Sequence, residues 1–127
     1  MDVLPRTFTG THMNLLSRCI EPTDKPVLVG RWAQGFLLLT RRRLVITRRS
    51  NLLHRMRLHL NTNVRHLRDV NVTVEDRGRA LVVNLTAVDG IRERFQLRMN
   101  DEERARRAEE LFRSVLDEQT KSFAIVA

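Results

Sequence analysis

Tyrosine is absent from this sequence and cysteine occurs once, at Cys19. A single cysteine excludes an internal disulfide and cannot alone supply the four ligands of a structural zinc site. Cys19 therefore reads as a small, half-buried hydrophobe. With no tyrosine and one tryptophan, the chain has few rings on which bases could stack, which tells against single-stranded nucleic acid as the first partner. No apolar run approaches the roughly 20 residues that cross a bilayer, or the apolar stretch of about 7–15 residues in a secretory signal. The expectation is a soluble, cytoplasmic protein. In that setting Asn71-Val-Thr73 and Asn84-Leu-Thr86, which have glycosylation spacing, read as ordinary strand residues. There is also no glycine-rich phosphate loop, no G-x-S-x-G and no H-E-x-x-H.

The most informative absence is that of acid. Residues 25–68 contain Lys25 and ten arginines without one Asp or Glu. The flanks are nearly self-neutralising: two basic against three acidic groups before residue 25, and ten against twelve from Asp69 onward. The formal net charge of +8 thus belongs to one contiguous third of the chain, and the clustering of charge decides what its field can attract. Planar guanidinium groups suit bidentate contact with phosphate or carboxylate. High-GC codon usage accounts equally well for an arginine bias of this kind. The candidate anion-binding or partner-binding residues are Arg41, Arg42, Arg43, Arg48, Arg49, Arg55 and Arg57. Hairpin and strand ends are expected to present them together.

At 127 residues with 42% apolar side chains, the chain is the size of one compact domain with one core. Residues 1–24, with Pro5, Gly10 and Pro22, read as a loosely ordered arm. From Pro26 onward short β-branched and leucine-rich runs alternate with turn residues, which predicts strands over Val27 to Ala33, Phe36 to Thr40, Leu44 to Arg48, Arg55 to Leu60, Val70 to Glu75, Ala80 to Ala87 and Ile91 to Met99. In Arg55-Met-Arg-Leu-His-Leu60 the alternation places Met56, Leu58 and Leu60 on one face and Arg55, Arg57 and His59 on a wet, cationic one. The last predicted strand has Ile91, Glu93, Phe95, Leu97 and Met99 on one side, with Arg92, Arg94, Gln96 and Arg98 on the other. Tight links at Asp76-Arg-Gly-Arg79 and Val88-Asp-Gly90 favour antiparallel pairing.

Helical periodicity begins at Asn100. Asn100-Asp-Glu-Glu103 has capping-box spacing, and Ala105, Ala108, Leu111, Phe112, Val115 and Leu116 form an apolar stripe. The predicted helix ends near Gln119 and covers the open face of the sheet. Residues 120–127 then read as an apolar tail with strand propensity, able to add to a sheet edge.

Seven strands followed by one helix resemble the pleckstrin-homology superfold: mainly β, a partly open barrel of about seven antiparallel strands capped by one C-terminal α-helix. A closer cue is Gly35-Phe-Leu-Leu-Leu-Thr40-Arg-Arg-Arg43-Leu44, which is similar to the G-x-L-x-L-T-x-x-R-L hairpin of GRAM-like and bacterial pleckstrin-homology-like domains. Pro26-Val-Leu-Val-Gly-Arg-Trp32 looks like their first strand. The resemblance covers about residues 25–119. The basic signature that the eukaryotic branch uses for phosphoinositides is not reproduced, because Phe36 to Thr40 carries no charge. What the resemblance implies is protein interaction and self-assembly.

Chemistry finds little foothold. His59 and His66 flank Asn61-Thr-Asn63 and could combine with Asp69 as a metal or acid/base cluster, but their spacing across a loop does not give them a common face. The helix carboxylates alternate with arginines and read as solvated ion pairs. No catalytic residue, metal or cofactor is expected. The partner expected first is an acidic protein or a second copy of the chain, next an anionic membrane surface contacted peripherally, and third nucleic acid.

Overall fold

The structure is a computed structural model and describes Leu15, residues 18–50 and residues 56–126, with side chains as far as residue 119. It is mainly β. The strands are β1 (Pro26–Trp32), β2 (Gly35–Thr40), β3 (Arg43–Arg49), β4 (Met56–Asn63), β5 (Arg68–Glu75), β6 (Ala80–Thr86) and β7 (Arg92–Arg98). Short 3-10 turns at Val64–His66 and Asp76–Gly78 follow β4 and β5, and one helix, α1 (Glu102–Val126), completes the chain. All strand pairs are antiparallel between sequence neighbours, in a four-stranded sheet β1-β2-β3-β4 and a three-stranded sheet β5-β6-β7. Among the described residues no helix is long and apolar enough to cross a membrane.

Each expected strand is present. The link between β5 and β6 needs positive backbone φ at Asp76, Arg77 and Gly78. Gly78 meets a second demand, since a Cβ there would lie 2.2 Å from Glu102 Cα at the start of the helix. A glycine is required where backbone approaches backbone this closely.

The two sheets meet along β1 and β7 by side-chain packing. Trp32 stands edge-on to Phe95, with ring centroids 5.1 Å apart at 87°, and Gly30 leaves room for Leu97. Leu37, Leu39, Leu44 and Ile46 from the first sheet, Val72, Leu81, Val83, Phe95 and Leu97 from the second, and Ala108, Phe112 and Val115 from α1 form one continuous core. The outer face of the first sheet is covered too: Cys19 and Ile20 pack with Val29 on Leu38 and Val45. Residues 18–24, expected in a loose arm, thus lie on the sheet.

Three sequence expectations change. The helix cap is Asp101, whose Oδ1 accepts the Arg104 N–H at 2.8 Å, one residue beyond Asn100. The carboxylate is the better acceptor at the positive end of the helix. The helix also continues to Val126 where an end near Gln119 and an apolar strand-like tail were expected. No glycine or proline stands between Thr120 and Val126 to stop it. Third, the simple alternation of β4 fails. Ile46 opposes Leu60 while the next residue, Thr47, opposes Leu58, so His59 is an extra residue in β4 and the strand changes faces there.

Thr47 holds a second irregularity. Beside it, Gly35 is so close that a Cβ would lie 2.1 Å from the Thr47 carbonyl oxygen. The Phe36 N–H donates to Thr47 Oγ1 at 3.1 Å, so a side chain replaces a ladder bond at a position with no exposure. Thr47→Val removes the Oγ1 acceptor from this buried bond and should cost about 1–3 kcal/mol. A lower urea midpoint at unchanged m value would confirm it; an unchanged midpoint would refute it.

Candidate functional site

The structure divides the candidate arginines between the two ends of β3. Arg41 and Arg42 form the exposed β2–β3 turn and Arg43 opens β3, whereas Arg48 and Arg49 close β3 and Arg57 lies near the start of β4. Strand rise puts Arg43 and Arg48 about 17 Å apart, so the structure does not present the two groups together as expected. Arg55 lies outside the described residues.

The turn is built by Thr40. Its hydroxyl accepts the Arg43 N–H at 2.9 Å and the Arg42 N–H at 3.2 Å, and donates to Asp24 Oδ2 at 2.6 Å. The turn carbonyls are also engaged: Arg42 O accepts from Val64 N at 2.7 Å and Arg41 O from Gln119 Nε2 at 2.7 Å. Arg43 is half-buried and donates from Nε to Asn61 Oδ1 at 3.0 Å. Burial pushes the nearby Cys19 thiol above its ordinary value, with the Arg43 guanidinium pulling the other way. That environment favours the protonated thiol.

At the other end Arg48 stands directly across from Arg57, and Arg49 across from Met56. Facing like charges destabilise a ladder. These three arginines, with Ser50, Leu58 and His59, line a groove of about 320 Å³ with no carboxylate among its described lining residues. The nearest acid on β7, Glu93, is engaged by His59 Nε2 at 2.5 Å. His59 itself is half-buried, tilted against Trp32 and edge-on to Phe95, with centroids 6.3 Å and 5.9 Å away. The bulge turns it inward, away from the solvated face on which alternation placed it.

Trp32 on Phe95 and His59 on Glu93 fix the alignment of the sheets, so the β1–β2 turn, the end of β3, the start of β4 and the β6–β7 turn share one end of the molecule. At this end Leu58 on β4 and Val88 and Ile91 in the β6–β7 turn are large apolar side chains left 43%, 74% and 58% exposed. Sequence reasoning placed Leu58 and Ile91 on inward faces. The bulge reverses Leu58, and β7 begins only at Arg92, leaving Ile91 in the turn.

A further row, Arg92, Arg94 and Arg98, is exposed on the outer face of β7. Arg94 reaches Glu75 at 3.4 Å, an exposed pair worth little. On α1 the expected ion pairs form, Arg106 with Glu102 at 2.8 Å and Arg113 with Glu109 at 3.6 Å. His66 and Asp69 are exposed and do not join His59. Among the described residues no three His, Cys, Asp or Glu side chains are grouped to hold a metal ion.

No protein-family model matches the chain, and no curated protein matches it.

Proposed function

We propose that this protein is a cytoplasmic, non-enzymatic interaction module on a pleckstrin-homology-like scaffold, which meets an acidic protein or a second copy of itself at the Arg48, Arg49 and Arg57 end. The observation that supports it is the groove at that end: three exposed guanidinium groups, one pair of them facing across the ladder, with no acid among the described lining residues. An acidic partner would relieve that repulsion on binding. In the self-associating case, light scattering at low salt should show a species larger than the monomer that dissociates as salt rises and screens the contact. A monomer at all salt concentrations would remove self-association and leave a different acidic protein.

A second reading, peripheral contact with an anionic membrane surface, is favoured by Leu58, Val88 and Ile91, which are exposed at the same end as the arginines. Apolar side chains that enter the headgroup layer while cations meet lipid phosphate are the two components of peripheral binding. Nucleic acid ranks third. Among the described aromatics, Phe36, Phe95 and Phe112 are buried and Trp32 half-buried, which leaves no platform for base stacking.

A further inference from the structure

Residues 18–24 and the Arg41–Arg43 turn lie on opposite sides of one hydroxyl. We propose that these residues form a strap whose seating on the first sheet is coupled to the shape of the arginine turn through Thr40. The strap covers the apolar strip of Val29, Leu38 and Val45 with Cys19 and Ile20. It closes on Asp24, whose N–H donates to Glu21 O at 2.9 Å and whose side chain is 7% exposed.

A threonine hydroxyl has one proton and two lone pairs. Here both lone pairs take turn amides, Arg42 and Arg43, so the proton is directed at Asp24. The alternative acceptor, Arg43 O, is 3.4 Å away, at the weak limit of a hydroxyl bond. Asp24 forms no ion pair among the described residues, so Thr40 supplies its one described side-chain hydrogen bond. A buried carboxylate that loses such a donor is strongly penalised. When the turn opens, the hydroxyl is free to rotate, Asp24 loses its donor and the strap lifts. When the strap lifts, the hydroxyl loses its acceptor and holds the turn less firmly. The coupling is reciprocal by thermodynamic necessity. The coupling does not rest on the functional reading above, which places the partner at the other end of β3.

Cys19 is the chain's one thiol and reports on the strap without a label. In the full chain, Thr40→Val and Asp24→Ala should each raise the rate of Cys19 modification by a thiol reagent about tenfold or more, and Thr40→Ser should stay near wild type. Asp24→Ala should also speed hydrogen exchange at the Arg42 and Arg43 amides, while Val82 and Val83 in the second sheet keep their protection and certify the fold. If Asp24→Ala does not fold, Asp24→Asn still retains an acceptor for the Thr40 proton, and the Thr40 pair carries the decision. Unchanged Cys19 reactivity in Thr40→Val would overturn the coupling. So would a lifted strap in Asp24→Ala with both turn amides still protected.

Discussion

Replacing Arg48, Arg49 and Arg57 together by glutamate should abolish attachment to anionic vesicles, weakening it at least about a hundredfold. Each cation near such a surface contributes on the order of 1 kcal/mol, so neutralising three accounts for that factor and reversing them exceeds it. An acidic protein partner should be lost in the same variant, because the reversed groove repels it. The matching change at Arg41 and Arg42, at the far end of β3, should weaken binding less. The opposite order would assign function to the turn and remove the groove from consideration. The single change Arg57→Glu adds a sharper condition. Arg48 and Arg57 face each other across the ladder, so this substitution turns a repulsive pair into an attractive one worth roughly 0.2–1 kcal/mol. It should raise the thermal midpoint while weakening binding. A groove kept for stability could not respond in both directions, so a variant that loses both would identify the arginines as structural.

The fold was legible because two independent signals coincided at nearly every strand. Alternation set the faces, and Gly78 or Gly90 marked the turns; the positive φ at these two glycines shows why those residues stand there. The helix was legible through Ala108, Phe112 and Val115, although its end was misplaced because Thr120 to Val126 holds β-branched residues yet no residue that stops a helix. The site was less legible for a definite reason. Composition located the arginines in the early sheet, but a strand has two ends, and Arg48 stands five positions beyond Arg43. The bulge at His59 left no trace in the local pattern: Met56, Leu58 and Leu60 alternate without fault, and only the pairing with Ile46 and Thr47 reveals the extra residue. Glu93 looked like a flaw in the apolar face of β7. It is the partner of His59, thirty-four residues earlier, and a contact between sheets cannot be read from either strand alone. The Thr40 hydroxyl belongs to the same class, since its significance depends on Asp24, sixteen residues before it.

Phe112→Ala should be the most damaging single substitution in the core. Phe112 has no exposure and is the largest fully buried side chain among the described residues, placed where α1 closes over both sheets. The core around it draws on both sheets as well as the helix, and a packed interior relaxes only partly into a vacated space. A phenylalanine truncated in such a place costs about 3–5 kcal/mol, which for a chain of this size lowers the thermal midpoint by about 10 °C or more. The exposed Ser114 on the opposite side of the helix supplies the control, because Ser114→Ala changes helix propensity slightly and removes no packing. The binding groove is far from α1 in topology, built from β3 and β4. Phe112→Ala should therefore reduce binding only in proportion to the fraction unfolded, and lowering the temperature below its midpoint should restore the wild-type affinity. A variant that stays folded at low temperature yet does not bind would mean that the helix shapes the groove directly, and the division between a sealing helix and a binding end would have to be abandoned.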